Sequence, residues 1–303
     1  MIDYDEIYVD EEQVVRQKEH LCGVVTLYYP TYLHVKNLET YAHFLQKLVV
    51  VDNSPHPDYG LHQKLLEYVP HAAIIAPCEN LGVAAALNRG VEKAIDEGFS
   101  WLLTMDQDSF FPEAVARRFF GAFRHLDTAT VAVVAPGHNT TLDDGAACRF
   151  EPKFEVMTAG NLVNLNLIPE IGLFDERLFI DAVDHDFCIR AGIKGYAVLE
   201  AVNCCMGHQP GELYNGSFLW GRKKKTFSIH SPKRMYFIVR NSLYLLRTYK
   251  GCNDKELRGL RRHMHARISR CIRYSPRRLE YARFILMAYV DFFFGRYGNR
   301  VGI

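Results

Sequence analysis

The sequence lacks several features that mark common protein classes. No stretch reaches the roughly 18 consecutive apolar residues that a membrane-spanning helix needs. Residues 1–19 are acidic and polar, so we expect neither a signal peptide nor a transit peptide. The eight cysteines are scattered and form no CxxC pair. Without a secretion signal, this pattern predicts reduced core cysteines in a cytoplasmic protein.

Motifs of several nucleotide-binding classes are also missing. No GxGxxG follows the first apolar run, which argues against a nicotinamide-dependent dehydrogenase. Residues 22–32 contain no Gly-rich basic loop, which a nucleotidyltransferase that makes nucleotide sugars would place there. No nucleic-acid-binding motif is recognisable, and the acidity of the first 210 residues argues against a nucleic-acid partner.

The charges of the two signs are unevenly distributed. Residues 1–210 carry 15 Lys and Arg against 30 Asp and Glu, whereas residues 211–303 carry 21 against 5. The formal net charge of +1 therefore combines an acidic part with a basic part. A region as basic as the C-terminal third attracts polyanions such as an anionic lipid surface. This change in composition places a boundary near residue 210.

Apolar runs and helical patterns alternate along the acidic part. Buried strands are predicted at 21–28, 47–54, 72–76, 101–105 and 131–135, and helices at 37–48, 60–69 and 83–95. This order predicts an α/β fold with a mostly parallel sheet, whose ligands bind at the carboxyl ends of its strands. Residues 137–149 are predicted to form a surface loop. Three more helices are predicted at 232–249, 254–272 and 275–296.

Acidic residues stand at the ends of two predicted strands. Asp106 and Asp108 follow the strand at 101–105, and their side chains can face one cleft because alternate residues of an extended segment point the same way. Two carboxylates suit Mg²⁺ or Mn²⁺, although an isolated Asp-x-Asp is also typical of a solvated turn. Asp52 ends the second strand, where it either accepts from the imide of a pyrimidine base or forms an Asx turn.

A second polar group precedes the helix predicted at 83–95. Gly82 allows close backbone approach, and a helix N-terminus favours an anion. Asn80 and Asn88 flank this point. The simpler alternative is an asparagine cap followed by a flexible glycine.

Three acids, Asp181, Asp184 and Asp186, lie within six residues amid apolar neighbours. One of them is a candidate general base for an acceptor hydroxyl, because carboxylates in apolar surroundings need partners or a function. Asp186 is expected to pair with Arg190 at i,i+4. His208, further along, is on its own more typical of a structural histidine.

Taken together, these motifs resemble the inverting glycosyltransferases of family 2, specifically the bacterial rhamnosyltransferase branch, over roughly residues 21–245. The resemblance implies a GT-A fold, with a Rossmann-like, mostly parallel central sheet flanked by helices and a C-terminal helical appendage. Residues 1–20 would be an acidic N-terminal extension, 21–210 the catalytic domain, and 211–303 a basic, mainly helical region.

The resemblance also implies a role for each matching residue. The nucleotide sugar would be bound by Thr26, Tyr28, Asp52, Asn80, Gly82, Asn88, Asp106 and Gln107. Mg²⁺ or Mn²⁺ would be held by Asp108, Asp106 and His208, and the acceptor side would include Gly160, Asp175, Arg240 and Asn241. Asp184 would be the general base, with Asp181 as the second candidate because Val183 stands where the family usually has Glu.

The implied reaction moves L-rhamnose from dTDP-rhamnose to a hydroxyl of a growing, lipid-linked bacterial surface polysaccharide. Transfer from a UDP-hexose and a non-catalytic role in binding nucleotide sugars or polyanions are the alternatives. Residues 223–225, 261–262 and 277–278 are basic and accompany an apolar stretch at 281–294. We expect this region either to attach peripherally to the anionic inner face of the cell membrane, or to pack on the acidic domain or on a second subunit.

Overall fold

The computed structural model describes residues 20–138, 144–208, 213–217, 224–228 and 230–302. The strands are β1 Leu21–Leu27, β2 Lys47–Asp52, β3 Ala72–Ile75, β4 Trp101–Asp106, β5 Ser109–Phe110, β6 Val131–Gly137, β7 Phe150–Pro152, β8 Asn161–Asn164, β9 Ala197–Cys205, β10 Gly207–His208, β11 Leu213–Ser217 and β12 Lys224–Ser228. The helices are α1 Tyr32–Ala42, α2 Tyr59–Tyr68, α3 Val83–Asp96, α4 Glu113–Arg124, α5 Ile168–Ile171, α6 Val183–Ile193, α7 Pro232–Thr248, α8 Asp254–Tyr274 and α9 Arg278–Phe293.

Eight strands form one sheet in the order β3-β2-β1-β4-β8-β6-β9-β7. The first four run parallel to one another, and β6 is parallel to β9. β8 is antiparallel to both of its neighbours, and β7 is antiparallel to β9. All five predicted strands are present, as β1 to β4 and β6. The α/β prediction is therefore confirmed. Three strands of the sheet were not predicted, namely the short antiparallel β7 and β8 and the nine-residue β9, which is parallel to β6.

Both faces of the sheet are covered by helices, which explains why its central strands are uninterrupted apolar runs. In β2, Val49 and Val51 pack into one core with Leu87 of α3, whereas Leu48 and Val50 pack into the other core with residues of α1. All four valine and leucine side chains are fully buried. Alternation of side chains along the strand thus fills two cores from one short segment.

The first helix differs from its prediction. Helix α1 spans Tyr32–Ala42 rather than 37–48, and His34 Nδ1 accepts from the amide of Thr31 at 3.0 Å to fix the helix start. Leu45, assigned to this helix from its spacing, is buried in the connection to β2. Leu45 continues the helical spacing of apolar residues although the helix has already ended, and this spacing misled the prediction.

The C-terminal helices lie within a few residues of their predicted bounds, and α7 packs along α9. Their core contains Phe237 of α7, Met264 of α8, Ile285 of α9 and Phe179 of the sheet-bearing part. Tyr244 and Leu245 of α7 join the core beneath the sheet. None of the helices in the described ranges is long and apolar enough to cross a membrane. The boundary predicted near 210 lies outside the described residues.

The prediction of reduced core cysteines is wrong for four of the eight, since Cys78 and Cys252 are exposed and one further pair is oxidised. Cys148 and Cys204 form a disulfide, with their Cα atoms 5.6 Å apart. The segment before β7 is held against β9 because the amide of Arg149 donates to Asn203 Oδ1 at 2.8 Å. This contact brings two cysteines together that lie 56 residues apart, which the sequence pattern did not reveal. Of the loop predicted at 137–149, residues 139–143 lie outside the described ranges.

Candidate active site

The predicted strand-end residues meet at one edge of the sheet. In the parallel register of β1 with its two neighbours, Thr26 lies opposite Asp106 of β4, and Leu27 lies opposite Asp52 of β2. The carboxyl ends of three adjacent strands therefore bring Thr26, Asp52 and Asp106 together, at the edge where ligands of such sheets bind.

Gln107 joins two of the loops at this edge. Its Oε1 accepts from the amide of Tyr28 at 2.8 Å, and its Nε2 donates to the carbonyl of Tyr28 at 3.3 Å. The carbonyl of Gln107 accepts from Asn37 Nδ2 at 2.9 Å. The side chain between the two aspartates thus fixes the loop after β1 to the loop after β4.

The backbone of His208 lies beside the Asp-Gln-Asp motif. Strand β10 pairs with β5, so that His208 is opposite Ser109, the residue directly after Asp108. Gly207 faces the ring of Phe110, where an added Cβ would lie 2.2 Å from the nearest ring atom. The contact therefore requires a glycine next to His208. The side chain of His208 lies outside the described part of the structure.

Asp106 and Asp108 are partly exposed and act on several neighbours. Burial and the charge of Asp106 raise the pKa of Tyr41. Burial lowers the pKa of His34, and the charge of Asp108 opposes that shift. Among the described side chains no group of three His, Cys, Asp or Glu could hold a metal ion. Two carboxylates are present, and the third predicted ligand is His208.

The segment that carries the candidate base has unusual backbone angles. Phe179, Asp181 and Ala182 have φ values of 67°, 63° and 66°, in the left-handed region that only glycine adopts easily. Such residues cost about 1–3 kcal/mol each and persist only where the surroundings hold them in place. Strain of this kind is concentrated at functional sites. We call residues 179–184 the acidic turn.

Arg240 and Asn241 hold the acidic turn from inside the protein. Asn241 Nδ2 donates to the carbonyls of Leu178, Ile180 and Asp181 at 2.8–2.9 Å. The guanidinium of Arg240 is fully buried, donating to the carbonyl of Leu178 at 3.1 Å and to that of Gly298 at 2.7 Å. Both residues matched the acceptor side of the family, and in this structure their side chains brace the turn.

Asp181 pairs with a residue that the sequence analysis missed. Arg234 at the start of α7 donates to both carboxylate oxygens of Asp181, from Nε and Nη2 at 3.2 Å. The charge of Asp181 raises the pKa of Arg234, and the charges of Asp106 and Asp108 contribute. Arg234 thus electrostatically couples the acidic turn to the Asp-Gln-Asp motif. A cation in the first turn of a helix opposes the helix dipole, and that anomaly was the available sequence signal.

Asp184 accepts hydrogen bonds on both of its oxygens. The amide of Thr158 donates to Oδ2 at 3.1 Å, and Oδ1 accepts from the amide of His185 at 2.9 Å and contacts its Nδ1 at 3.0 Å. Burial alone would raise the pKa of Asp184, but the charge of His185 and these hydrogen bonds hold it below its ordinary value. The carboxylate is therefore ionised at neutral pH.

His185 is the second residue that the sequence analysis missed. Its other ring nitrogen, Nε2, lies 3.2 Å from Glu155 Oε1. Burial acts to lower the pKa of His185, but the charges of Asp184 and Glu155 outweigh it and raise the pKa well above the ordinary value. The imidazolium between two acids gives Asp184 a charged partner.

A short path of hydrogen bonds connects Asp184 to the Asp-Gln-Asp motif. Thr104 lies in β4, two residues before Asp106, and its hydroxyl donates to the carbonyl of Thr158 at 2.6 Å. The amide of the same Thr158 donates to Asp184. Gly160 supports this contact, since its amide donates to the Thr104 carbonyl at 2.7 Å. Its φ of +83° and the 2.5 Å from an added Cβ to Pro136 require glycine there.

Predicted nucleotide contacts lie on the other side of the strand ends. Asp52 is fully buried: Oδ2 lies 2.7 Å from His62 Nε2, and Oδ1 accepts from the amide of Ser54 at 3.0 Å. Asn80 Oδ1 accepts from the amide of Gly82 at 3.0 Å. We call Asp52, Asn80, Gly82 and Asn88 the donor wall. Each of these residues has partners within the protein, and their contacts with a nucleotide stay predictions.

Gly82 contacts the acidic turn, and Asn88 contacts the segment that leads into it. The side chain of Asn88 donates from Nδ2 to the carbonyl of Phe174 and accepts at Oδ1 from the amide of Phe174, both at 2.9 Å. Nδ2 also donates to Glu176. An added Cβ on Gly82 would lie 2.5 Å from the ring of Phe179, whose carbonyl accepts from the amide of Val83 at 2.7 Å. The helix N-terminus predicted to favour an anion thus already binds a carbonyl.

Two further acids have structural partners. Asp175, matched to the acceptor side, accepts from Arg177 and from the hydroxyl of Tyr244. Burial would raise its pKa, but these contacts lower it. Asp186 is buried and accepts from Arg190 Nε at 2.8 Å, which confirms the predicted pair, and from the hydroxyl of Tyr249 at 2.6 Å.

Known proteins share this architecture. Residues 30–176 match the sequence profile of glycosyl transferase family 2. This part of the chain is a family 2 glycosyltransferase domain. A stretch of 251 residues is 25% identical to the dTDP-rhamnosyl transferase RfbF of Shigella flexneri, covering 75% of this chain and 80% of that protein.

Solved structures of the same fold span most of this chain. The crystal structure of S. aureus TarS 1-349 superposes with a TM-score of 0.53 at 12% identity, over 90% of this chain and 80% of that one. GalNAc-T7 with UDP, GalNAc and Mn²⁺ gives a TM-score of 0.50 at 14% identity, over 92% and 58%. At these identities the likeness concerns the fold alone, and it confirms the GT-A prediction.

Proposed function

We propose that this glycosyltransferase moves L-rhamnose from dTDP-rhamnose to a hydroxyl of a glycan, with inversion at the anomeric carbon. The observation that carries the proposal is the path of hydrogen bonds from Thr104, two residues before Asp106, through Thr158 to Asp184 in the acidic turn. One side of the site suits a diphosphate and its metal, and the other suits an acceptor hydroxyl. The 25% identity to a dTDP-rhamnosyl transferase supports the choice of donor.

The residues at the end of β4 fit a divalent ion. Asp106 and Asp108 supply two hard oxygen ligands, and backbone pairing sets His208 beside them. These three residues would hold Mg²⁺ or Mn²⁺, which when bound neutralises charge on the leaving diphosphate. Arg234 adds a fixed positive charge to the same cleft.

Asp184 is the proposed general base. Its ionised carboxylate takes the proton of the acceptor hydroxyl as that oxygen bonds to the anomeric carbon. The bond from that carbon to the diphosphate oxygen breaks on the opposite face, and dTDP leaves. Asp181, which pairs with Arg234 at 3.2 Å, is the second candidate. A surface polysaccharide carried on a lipid is the proposed acceptor.

A thermal-shift panel tests the nucleotide preference. The protein is heated with dTDP, UDP or GDP, each with and without Mn²⁺. We expect the largest rise in Tm with dTDP plus Mn²⁺, because a ligand that binds only the folded state stabilises it. Asp108→Asn should abolish the Mn²⁺-dependent part, whereas Asp96→Asn, which removes an exposed acid at the end of α3, should not.

The other outcomes separate the rival functions. A larger response to UDP would favour a hexosyltransferase that uses a UDP-sugar. Indifference to every nucleotide would favour a non-catalytic protein and overturn the proposal. Release of dTDP from dTDP-rhamnose, compared with release of UDP from UDP-hexoses, then tests the donor sugar itself.

A further inference from the structure

Helix α9 presents an apolar face to solvent. Leu279, Leu286 and Phe293 recur every seven residues, and their exposed fractions are 83%, 65% and 78%. Val290 and Phe294 lie beside this line and are also exposed. The line extends over roughly 21 Å of helix at 1.5 Å per residue. The opposite side of α9 is the one that packs, through residues such as Tyr281 and Ile285.

This face has no role in the fold of the described residues. Core contacts of α9 are made by its other side, and a row of large exposed apolar side chains is unusual on a monomeric protein. Such a row indicates a surface that another molecule or a membrane covers.

The surroundings of the face are strongly basic. Residues 230–302 carry 17 Lys and Arg against 4 Asp and Glu. Exposed arginines that form no ion pair among the described residues occur along α8 and α9: Arg258, Arg261, Arg262, Arg267, Arg273 and Arg278. Arg283 is also exposed, and its charge acts on Glu280. Both acids of α9 are engaged, since Glu280 binds Arg277 and Asp291 accepts from the hydroxyl of Tyr236.

The distribution of charge around the apolar face of α9 indicates what covers it. An isologous contact with a second copy would set the arginines of one α8–α9 pair against those of the other. Residues 254–293 carry ten Lys and Arg against four Asp and Glu, too few acids to offset that repulsion. An anionic bilayer offers apolar chains beneath a layer of phosphates, which matches an apolar helix face bordered by arginines. Charge complementarity therefore favours lipid over a second subunit.

We propose that α9 lies in the interface of an anionic membrane, with Leu279, Leu286, Val290 and Phe293 among the acyl chains. Arg278 and Arg283 of α9, together with the arginines of α8, contact lipid phosphates. Helix α7 links this face to the candidate active site, because its Arg234 binds Asp181 while its body packs along α9. The inference goes beyond the proposed reaction and does not depend on the donor.

Vesicle flotation of the full chain tests the proposal. Vesicles of phosphatidylcholine alone are compared with vesicles that also contain phosphatidylglycerol, without nucleotide. We expect flotation only with the anionic vesicles, and a loss of at least about tenfold in bound protein for Leu286→Ser combined with Phe293→Ser. Arg278→Glu combined with Arg283→Glu should weaken binding most at low salt.

A matched variant controls for general loss of apolar surface. Leu66→Ser combined with Ile193→Ser removes two exposed apolar side chains distant from α9, and we expect it to float like the wild type. The Tm of each variant is measured to confirm folding. Absence of flotation, or equal flotation of the α9 variant, overturns the proposal. So does a wild-type dimer in light scattering that the α9 variant dissociates while neither protein binds vesicles.

Discussion

The donor wall and the acidic turn are both polar, both border the ends of the strands, and were both predicted to contact substrates. In the donor wall, Asp52 and Asn88 are buried and their polar atoms bind partners within the fold. In the acidic turn, Asp181 and Asp184 keep some exposure and have charged partners, Arg234 and His185.

The difference separates architecture from chemistry. Hydrogen bonds among buried groups fix the shape of a cleft, and their loss lowers the free energy of unfolding. Carboxylates held beside cations on a strained backbone are poised for reaction, and their loss lowers turnover. A substitution in either region should therefore lower mainly stability or mainly turnover.

The largest expected effect is on turnover in Asp184→Asn. Replacing the carboxylate with an amide removes the proposed base, and general bases contribute about 10²- to 10⁴-fold. We expect kcat to fall by that factor, while stabilisation by dTDP plus Mn²⁺ is retained. Release of dTDP from dTDP-rhamnose in the presence of acceptor measures kcat.

Asp181→Asn is the matched comparison within the same turn. If Asp184 is the base, this variant loses less activity, because it disrupts the pair with Arg234 and leaves the proton acceptor intact. The reverse ranking, with Asp184→Asn still active, would transfer the role of base to Asp181.

A second large effect is expected on folding in Arg240→Met. The substitution leaves the carbonyl of Gly298 without its donor, removes one of the two donors to the carbonyl of Leu178 and loosens the strained acidic turn. Hydrogen bonds to a charged group contribute about 1.5–3 kcal/mol each, so we expect the free energy of unfolding to fall by about 3 kcal/mol. Urea unfolding measures it. Arg247→Met, an exposed position of the same helix, is the control, and an equal loss there would contradict the bracing role.

The sequence predicted the sheet better than the site. Apolar runs that end in Asp52 and Asp106 identified the strand ends, because burial on both faces gives an unmistakable local pattern. Contacts between distant residues left no such pattern. The pair of Asp181 with Arg234 spans 53 positions, and the disulfide of Cys148 with Cys204 spans 56.

Roles were harder to predict than positions for the same reason. Arg240 and Asn241 matched the family by motif, but only the structure reveals that their donors reach backbone carbonyls about 60 residues earlier in the chain. A sequence motif indicates that a side chain is required at a position, but it does not identify the group that this side chain contacts. His185 was overlooked between two aspartates, since its link to Glu155 joins separate segments.

A moderate effect is expected in Asn88→Ala, which tests the donor wall. Loss of the amide leaves the buried backbone groups of Phe174 unpaired, and we expect unfolding to become easier by about 2 kcal/mol. The rise in Tm caused by dTDP plus Mn²⁺ should persist if Asn88 only shapes the cleft. Normal stability combined with a lost nucleotide response would instead make Asn88 a direct ligand. Asn166→Ala, at an exposed position, is the control.

The smallest expected effect concerns pH and the charge of His185. Since its folded pKa is raised, its stabilising contribution is complete below the unfolded pKa of about 6.5 and is lost as pH rises through the folded pKa. The lowered pKa of Asp184 acts in acid, because its contribution is lost only as pH falls through the folded pKa. Between neutral and mildly alkaline pH, the difference in unfolding free energy between wild type and His185→Gln should therefore shrink as pH rises.

Urea unfolding of both proteins across that pH range measures the difference, and a difference that stays constant or grows would contradict the ion pair. Repeating the comparison in an Asp184→Asn background isolates the partner, because a double-mutant cycle removes effects that the two residues do not share. The pH dependence should be weaker there, with the part due to Glu155 remaining. A full pH dependence in that background would attribute the charge on His185 to Glu155 alone and leave Asp184 with only the hydrogen bonds that it accepts from the amides of Thr158 and His185.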